Sequence, residues 1–211
     1  MPEDDLMLTE ERQYPNAICG TQTELLEEIH QKENSIAIYQ RDIQALDYEL
    51  SRIIHKDITH KGSGTLEEIA SGLASFFGQE LPQCERLPLD ILNLVRLFDD
   101  VVKGESYRLL FSTVSGNMCR KFHTDINDLR LICTYFGEGT LWVAEDESSK
   151  VKEDDSINDE YIHQANAGDV LILKGALHPE GNPVLHRSPA IEENGSRRLL
   201  LRLDTNNLLE F

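Results

Sequence analysis

The sequence is short of basic residues. Only 20 Lys and Arg stand against 38 Asp and Glu, a formal net charge of −18. Sequence-independent binding to a phosphate backbone needs clustered cations, so this balance argues against a nucleic-acid substrate. Paired cysteines are also lacking: Cys19, Cys84, Cys119 and Cys133 form no C-x-x-C. That removes the common zinc-ribbon and dithiol patterns and leaves buried thiols in a reducing compartment as the expectation. No apolar run approaches the ~20 residues that span a bilayer. The acidic start, "MPEDDLMLTEERQYP", lacks the basic-then-apolar order of a signal peptide. A cytoplasmic protein without a membrane partner is expected.

What is present falls into two textures. After a loose acidic tail over residues 1–20, the stretch 21–105 reads as mainly helical. Thr21-x-x-Glu24 offers a capping box ahead of Leu25, Leu26 and Ile29. "SIAIYQR" alternates and is β-branched, which predicts a strand. Asp42 can cap a helix with the stripe Ile43, Leu46, Leu50, Ile53 and Ile54, broken by "HKGSG". Thr65-x-x-Glu68 opens a third helix, with Ile69, Leu73, Phe76 and Phe77 at helical spacing. A fourth carries Ile91, Leu94, Val95, Phe98 and Val101 and stops at Gly104.

Residues 106–211 change character. "SYRLLFSTVS", "MCRKFHTD", "LRLICTYF", "TLWVAE", "DVLILKG" and "RRLLLRLD" are short strand-like runs separated by turn residues, the pattern of a sandwich or barrel. "DESSKVKEDDSINDE" reads as a solvated acidic insertion. Trp142 is expected in the barrel wall.

Two His-x-Asp pairs occur, His55-Lys56-Asp57 and His123-Thr124-Asp125. In a strand, residues two apart share a face, so the second pair can point into one cavity. The first sits at a helix end, where residues two apart diverge. A third ligand is preferred at His186, with His178 in reserve. Two imidazoles and one carboxylate leave coordination positions open, which suits non-haem Fe(II). Zinc accepts the same donors and is the alternative.

The order H-T-D, "GEGT", "AGDVLILKG", "HRSP" and an arginine-bearing last strand resembles the double-stranded β-helix of 2-oxoglutarate/Fe(II) oxygenases. The longer strings "CRKFHTDINDLRLICTYFGEGT" and "RRLLLRLD" resemble a bacterial family known only as a domain of unknown function. The oxygenase resemblance implies an α+β fold with a helical N-terminal layer packed on a C-terminal jelly-roll or cupin-like barrel. It implies Fe(II) on His123, Asp125 and His186, with 2-oxoglutarate as cosubstrate. The far carboxylate of that 2-oxo acid calls for a guanidinium fork. The resemblance puts a basic residue on the last strand, and Arg198 is preferred there over Arg197, with Arg202 in support and Tyr135 as a phenolic donor. Lys174 is a further candidate anion anchor. The implied activity is hydroxylation of a small-molecule or protein substrate. A cupin-like metalloenzyme without 2-oxoglutarate, a non-catalytic zinc-binding regulator and a metal-free interaction module are the other readings.

Overall fold

The computed structural model describes residues 14–205 apart from positions 117, 153, 155 and 194. Most of the expected acidic tail therefore lies outside the described residues.

Two sheets face one another. The larger has seven strands: β1 (Ala17–Gly20), β2 (Ile36–Tyr39), β3 (Thr59–Gly64), β4 (Tyr107–Val114), β5 (Leu129–Phe136), β8 (Val170–Lys174) and β10 (Arg198–Thr205). They run in the order β1-β2-β8-β5-β10-β4-β3. The smaller has three, β6 (Leu141–Val143), β7 (His163–Gln164) and β9 (Leu185–Arg187), in the order β7-β6-β9. All pairings are antiparallel except β1 with β2.

Alternation along the central strands sets what each face does. On β5, Leu129, Leu131, Cys133 and Tyr135 enter the core shared with the helices. Ile132, of opposite parity, enters the core between the sheets with Trp142, Ile36 and Leu173. On β10, Leu199, Leu201 and Leu203 face the helices, which turns Arg198, Arg202 and Asp204 toward the small sheet.

Three α-helices, α1 (Asp47–Ile53), α2 (Leu66–Glu80) and α3 (Leu87–Val102), contribute to the first core, joined by Leu26 and Ile29 of a 3₁₀ helix. The predicted capping box of α2 is present, with Thr65 accepting from the Glu68 amide and Glu68 accepting from the Thr65 amide. Ile69, Leu73 and Phe77 form its buried stripe, each contributing about 1.5–3 kcal/mol of burial. The start of α3 is held from outside itself. Glu49 accepts from the main-chain amides of Glu85, Arg86 and Leu87 at 3.0, 2.9 and 2.9 Å. These are donors that a helix N-terminus leaves unpaired.

Several expectations are corrected. Residues 23–30 form a 3₁₀ helix with no side-chain cap, so Thr21 and Glu24 make no capping box. The "HKGSG" break is most of strand β3. It was hidden because an edge strand with glycines has no apolar alternation, and Gly62 is what lets α2 approach: a Cβ there would stand 3.1 Å from Ile69 Cδ1. β1, β2 and β3 all come from the N-terminal half, which is thus less purely helical than expected. α3 ends on Lys103 in the left-handed region, φ 50°, one residue before Gly104. "MCRKFHTD" is loop rather than strand. The acidic insertion contains 3₁₀ turns at Glu145–Lys150 and Asp159–Tyr161.

Candidate metal centre

His123 is anchored although it lies in a loop. Its amide and carbonyl exchange both hydrogen bonds with His186 of β9, at 3.1 and 3.0 Å, an isolated antiparallel bridge between the β4–β5 connection and the small sheet. The two imidazoles therefore leave the backbone side by side, with ring centroids 4.7 Å apart. Each ring is then oriented through Nδ1, His123 against the Lys121 carbonyl at 2.9 Å and His186 against the Val184 carbonyl at 3.2 Å. Donation from Nδ1 leaves Nε2 as a lone pair, the arrangement that second-sphere carbonyls give metal-bound histidines.

Both Nε2 atoms point at Asp125, His186 at 3.3 Å from Oδ2 and His123 at 3.7 Å from Oδ1. One donor atom from each of the three residues lies within 4.8 Å of the others. Asp125 Oδ2 is buried and accepts no hydrogen bond. A buried carboxylate oxygen without a donor is costly, and a cation held between it and the two lone pairs would remove that cost. The donor set fits a divalent metal of the Fe(II) or Zn(II) kind.

Arg130, which sequence reasoning missed, fixes the carboxylate. From the inner face of β5 it donates through Nη1 to Asp125 Oδ1 and through Nε to Asp204. Asn127 also donates to Asp204 at 3.1 Å. Burial pushes the Asp125 carboxyl up, but the facing His186 imidazole, then Arg130 and His123, outweigh it and hold the group below the ordinary carboxylate range. The signal for Arg130 was present as parity: it alternates with Ile132 and Thr134.

A cavity of about 50 Å³ is bordered by His123, His186, Arg130 and Arg198. Arg198 is 2% exposed, yet no carboxylate among the described residues forms an ion pair with it. Among the described residues its side chain donates from Nη2 to Thr134 Oγ1 at 3.0 Å, and Nε has no partner. Burial pushes its guanidinium down to about 10, with Glu138 opposing. A buried cation without a carboxylate partner is electrostatically costly.

The other expected residues separate cleanly. Arg202 borders the same cavity, with Nε 3.2 Å from Asp204 Oδ2. Arg197 points outward and pairs with Asp57, half of the decoy His55/Asp57 pair. Tyr135 is corrected: it sits on the helix-facing side of β5, where its hydroxyl donates to Asp90 at 2.6 Å, so it is not a neighbour of the cavity. Its parity with Leu131 and Cys133 made this legible. Thr134 stands on the inner face instead. Lys174 is buried and donates to the Gln31 carbonyl at 2.7 Å, away from the triad. His178 bonds the Glu180 carbonyl through Nδ1 and is not one of the three. Cys119, expected to be buried, is exposed at the cavity rim, while Cys133 is buried as expected.

Residues 20–204 match the family described as protein of unknown function DUF1826. The chain belongs to that family. No curated protein is similar to this DUF1826 member in sequence. Among solved structures it is similar to the dioxygenase for auxin oxidation 1 of Arabidopsis thaliana in its complex with 2-oxoglutarate. That match has a TM-score of 0.55 and 8% identity, and covers 93% of this chain and 94% of the other. It is also similar to a prolyl-4-hydroxylase of Pseudomonas putida, with a TM-score of 0.46, 12% identity and coverage of 92% and 98%. At such identities the likeness concerns fold alone, and the first match carries it: the two facing sheets are arranged as a double-stranded β-helix. No helix among the described residues is long and apolar enough to cross a membrane.

Proposed function

We propose that this DUF1826 protein is a non-haem Fe(II) oxygenase that uses 2-oxoglutarate to hydroxylate a substrate. One observation carries the reading: a two-histidine, one-carboxylate cluster and an unpaired buried arginine border a single cavity. His123, Asp125 and His186 would hold the metal on one side, leaving the opposite positions for a chelating 2-oxo acid and dioxygen. A bound Fe(II) would supply dioxygen activation coupled to decarboxylation of the cosubstrate.

The chain's own part is to bind and orient. Arg198 gives the distal carboxylate a two-pronged donor whose angle is fixed by Thr134. Arg202, two turns of the pleat further along β10, offers a second cation near the metal. Arg130 keeps Asp125 ionised and aimed, so that the carboxylate is ready to ligate. Leu200 and Ile132 line the same space and limit water beside the reacting atoms.

The test is anaerobic titration of Fe(II)-loaded protein with 2-oxoglutarate, followed by the visible metal-to-ligand charge-transfer band. A band that disappears in Asp125→Ala and needs about tenfold or more extra 2-oxoglutarate in Arg198→Ala is expected. A tightly zinc-loaded protein giving no such band with Fe(II) would return the site to the zinc-binding reading. An Arg198→Ala protein with unchanged 2-oxoglutarate binding would favour the cupin-like reading.

A further inference from the structure

The inner face that carries the metal triad continues beyond it. Strand register sets side chains in rows across β3, β4, β10 and β5: Lys61 opposite Leu110, Leu110 opposite Arg202, and Arg202 opposite Ile132. The adjacent row of the same parity runs Ser63, Arg108, Asp204, Arg130. A second cavity, of about 570 Å³, opens over these rows toward the free edge of β3. Its cations are Lys61, Arg108 and Arg202, and its apolar floor is Leu110, Val114 and Met118. It shares Arg202 and that whole floor with the cavity at the metal triad, so the two spaces adjoin.

The charges do not balance inside this groove. Arg130 is taken up by Asp125 and Asp204, and Arg202 lies against Asp204. Neither Lys61 nor Arg108 forms an ion pair among the described residues, and Arg108 Nε is buried with no hydrogen-bond partner. Lys61 is exposed at the mouth of the cavity and Arg108 is half-buried beside it, so Arg108 is the cation that the fold leaves uncompensated and Lys61 adds a second positive charge on the same face. An incoming anion would pair them.

We infer that Lys61 and Arg108 form the anion subsite for the substrate, which is a small organic molecule bearing a carboxylate or phosphate. Its charged end is held at the β3–β4 edge, and its apolar body lies along Leu110, Val114 and Met118 toward His123 and His186. The inference rests on the oxygenase reading for the word substrate, but the anion subsite is testable without it. Charge complementarity supplies the specificity: a neutral molecule of the same shape leaves Arg108 Nε unpaired.

The experiment titrates metal-free protein calorimetrically with hexanoate, hexyl phosphate and hexanol. At least one of the two anions is expected to bind about tenfold or more tighter than hexanol, and the tighter of them identifies the charged group. Lys61→Ala and Arg108→Ala should each weaken that anion by about tenfold and leave hexanol unchanged, while Lys61→Arg and Arg108→Lys retain most of the affinity. Melting curves of each variant separate lost binding from lost folding. Equal binding of hexanol and both anions, or undiminished anion binding in the alanine variants, overturns the inference. So does loss of the 2-oxoglutarate charge-transfer band in Lys61→Ala, which would assign these cations to the cosubstrate. A wild-type protein with no such band but charge-dependent anion binding supports the subsite and sinks only the oxygenase reading.

Discussion

His123 and His186 hold one another by main-chain hydrogen bonds in both directions, so two of the three candidate ligands are set side by side by backbone pairing alone. His186 stands on β9 of the small sheet, which packs on the large sheet through the inter-sheet core, and the other face of the large sheet carries the helical core. The site is therefore built before a metal arrives, and occupancy adds to a fold that already exists.

Metal addition should accordingly raise the melting temperature of a folded apo-protein rather than induce folding. At about 100 times the dissociation constant the gain is about 2.7 kcal/mol. Asp125→Ala and His186→Ala should abolish the rise, measured by calorimetry with Fe(II) under anaerobic conditions or with Zn(II). A far-ultraviolet spectrum that changes from unfolded to folded on metal addition would contradict the preformed site.

Arg198 should trade stability for binding. Its charge is buried and unpaired, so Arg198→Met together with Thr134→Val should leave the ligand-free protein as stable as wild type or stabilise it by about 1–3 kcal/mol. The same variant should lose 2-oxoglutarate binding. Chemical denaturation and cosubstrate titration on one preparation check both halves.

Arg130 should behave in the opposite way. Arg130→Met leaves Asp125 and Asp204 as buried carboxylates without their common partner, a loss of about 3 kcal/mol in the apo-protein. Asp125 is then no longer held ionised and aimed at the two imidazoles, so the rise in melting temperature on adding Zn(II) should be smaller than the wild-type rise.

Glu49 should contribute an acid-sensitive component far from the metal. Burial pushes its carboxyl up, but the amides of Arg86, Leu87 and Glu85 bind the ionised form and bring it below the ordinary value. A depressed folded value means stability that is fully present above the unfolded value of about 4.3 and is lost as pH falls through the folded one. Glu49→Gln should cost about 1–3 kcal/mol at pH 7. It should also flatten the loss of stability below about pH 4.5, as measured by urea denaturation across pH.

The sequence was most readable where periodicity and chemistry agreed. The Thr65/Glu68 capping box, the stripes of α2 and α3, the alternation of β4, β5 and β10 and the continuous apolar run of β8 all carry local energetic signals. That Arg198 rather than Arg197 stands on the inner face of β10 was also legible, since leucines at 199, 201 and 203 determine which face meets the core. Tyr135 was misjudged by ignoring the same rule on β5. β3 and the short strands β7 and β9 had too few apolar residues to announce themselves, because their pairing depends on a partner strand already being in place.

By itself the chain determined which residue types were available and on which side of each long strand they stand, since alternation is a property of covalent geometry. Only the tertiary structure decided that His123 meets His186, that Arg130 bridges Asp125 to Asp204, and that Lys61 and Arg108 have no carboxylate partner among the described residues. Those relations join segments distant in sequence. They depend on strand register and on the packing of one sheet over the other, which no local pattern encodes.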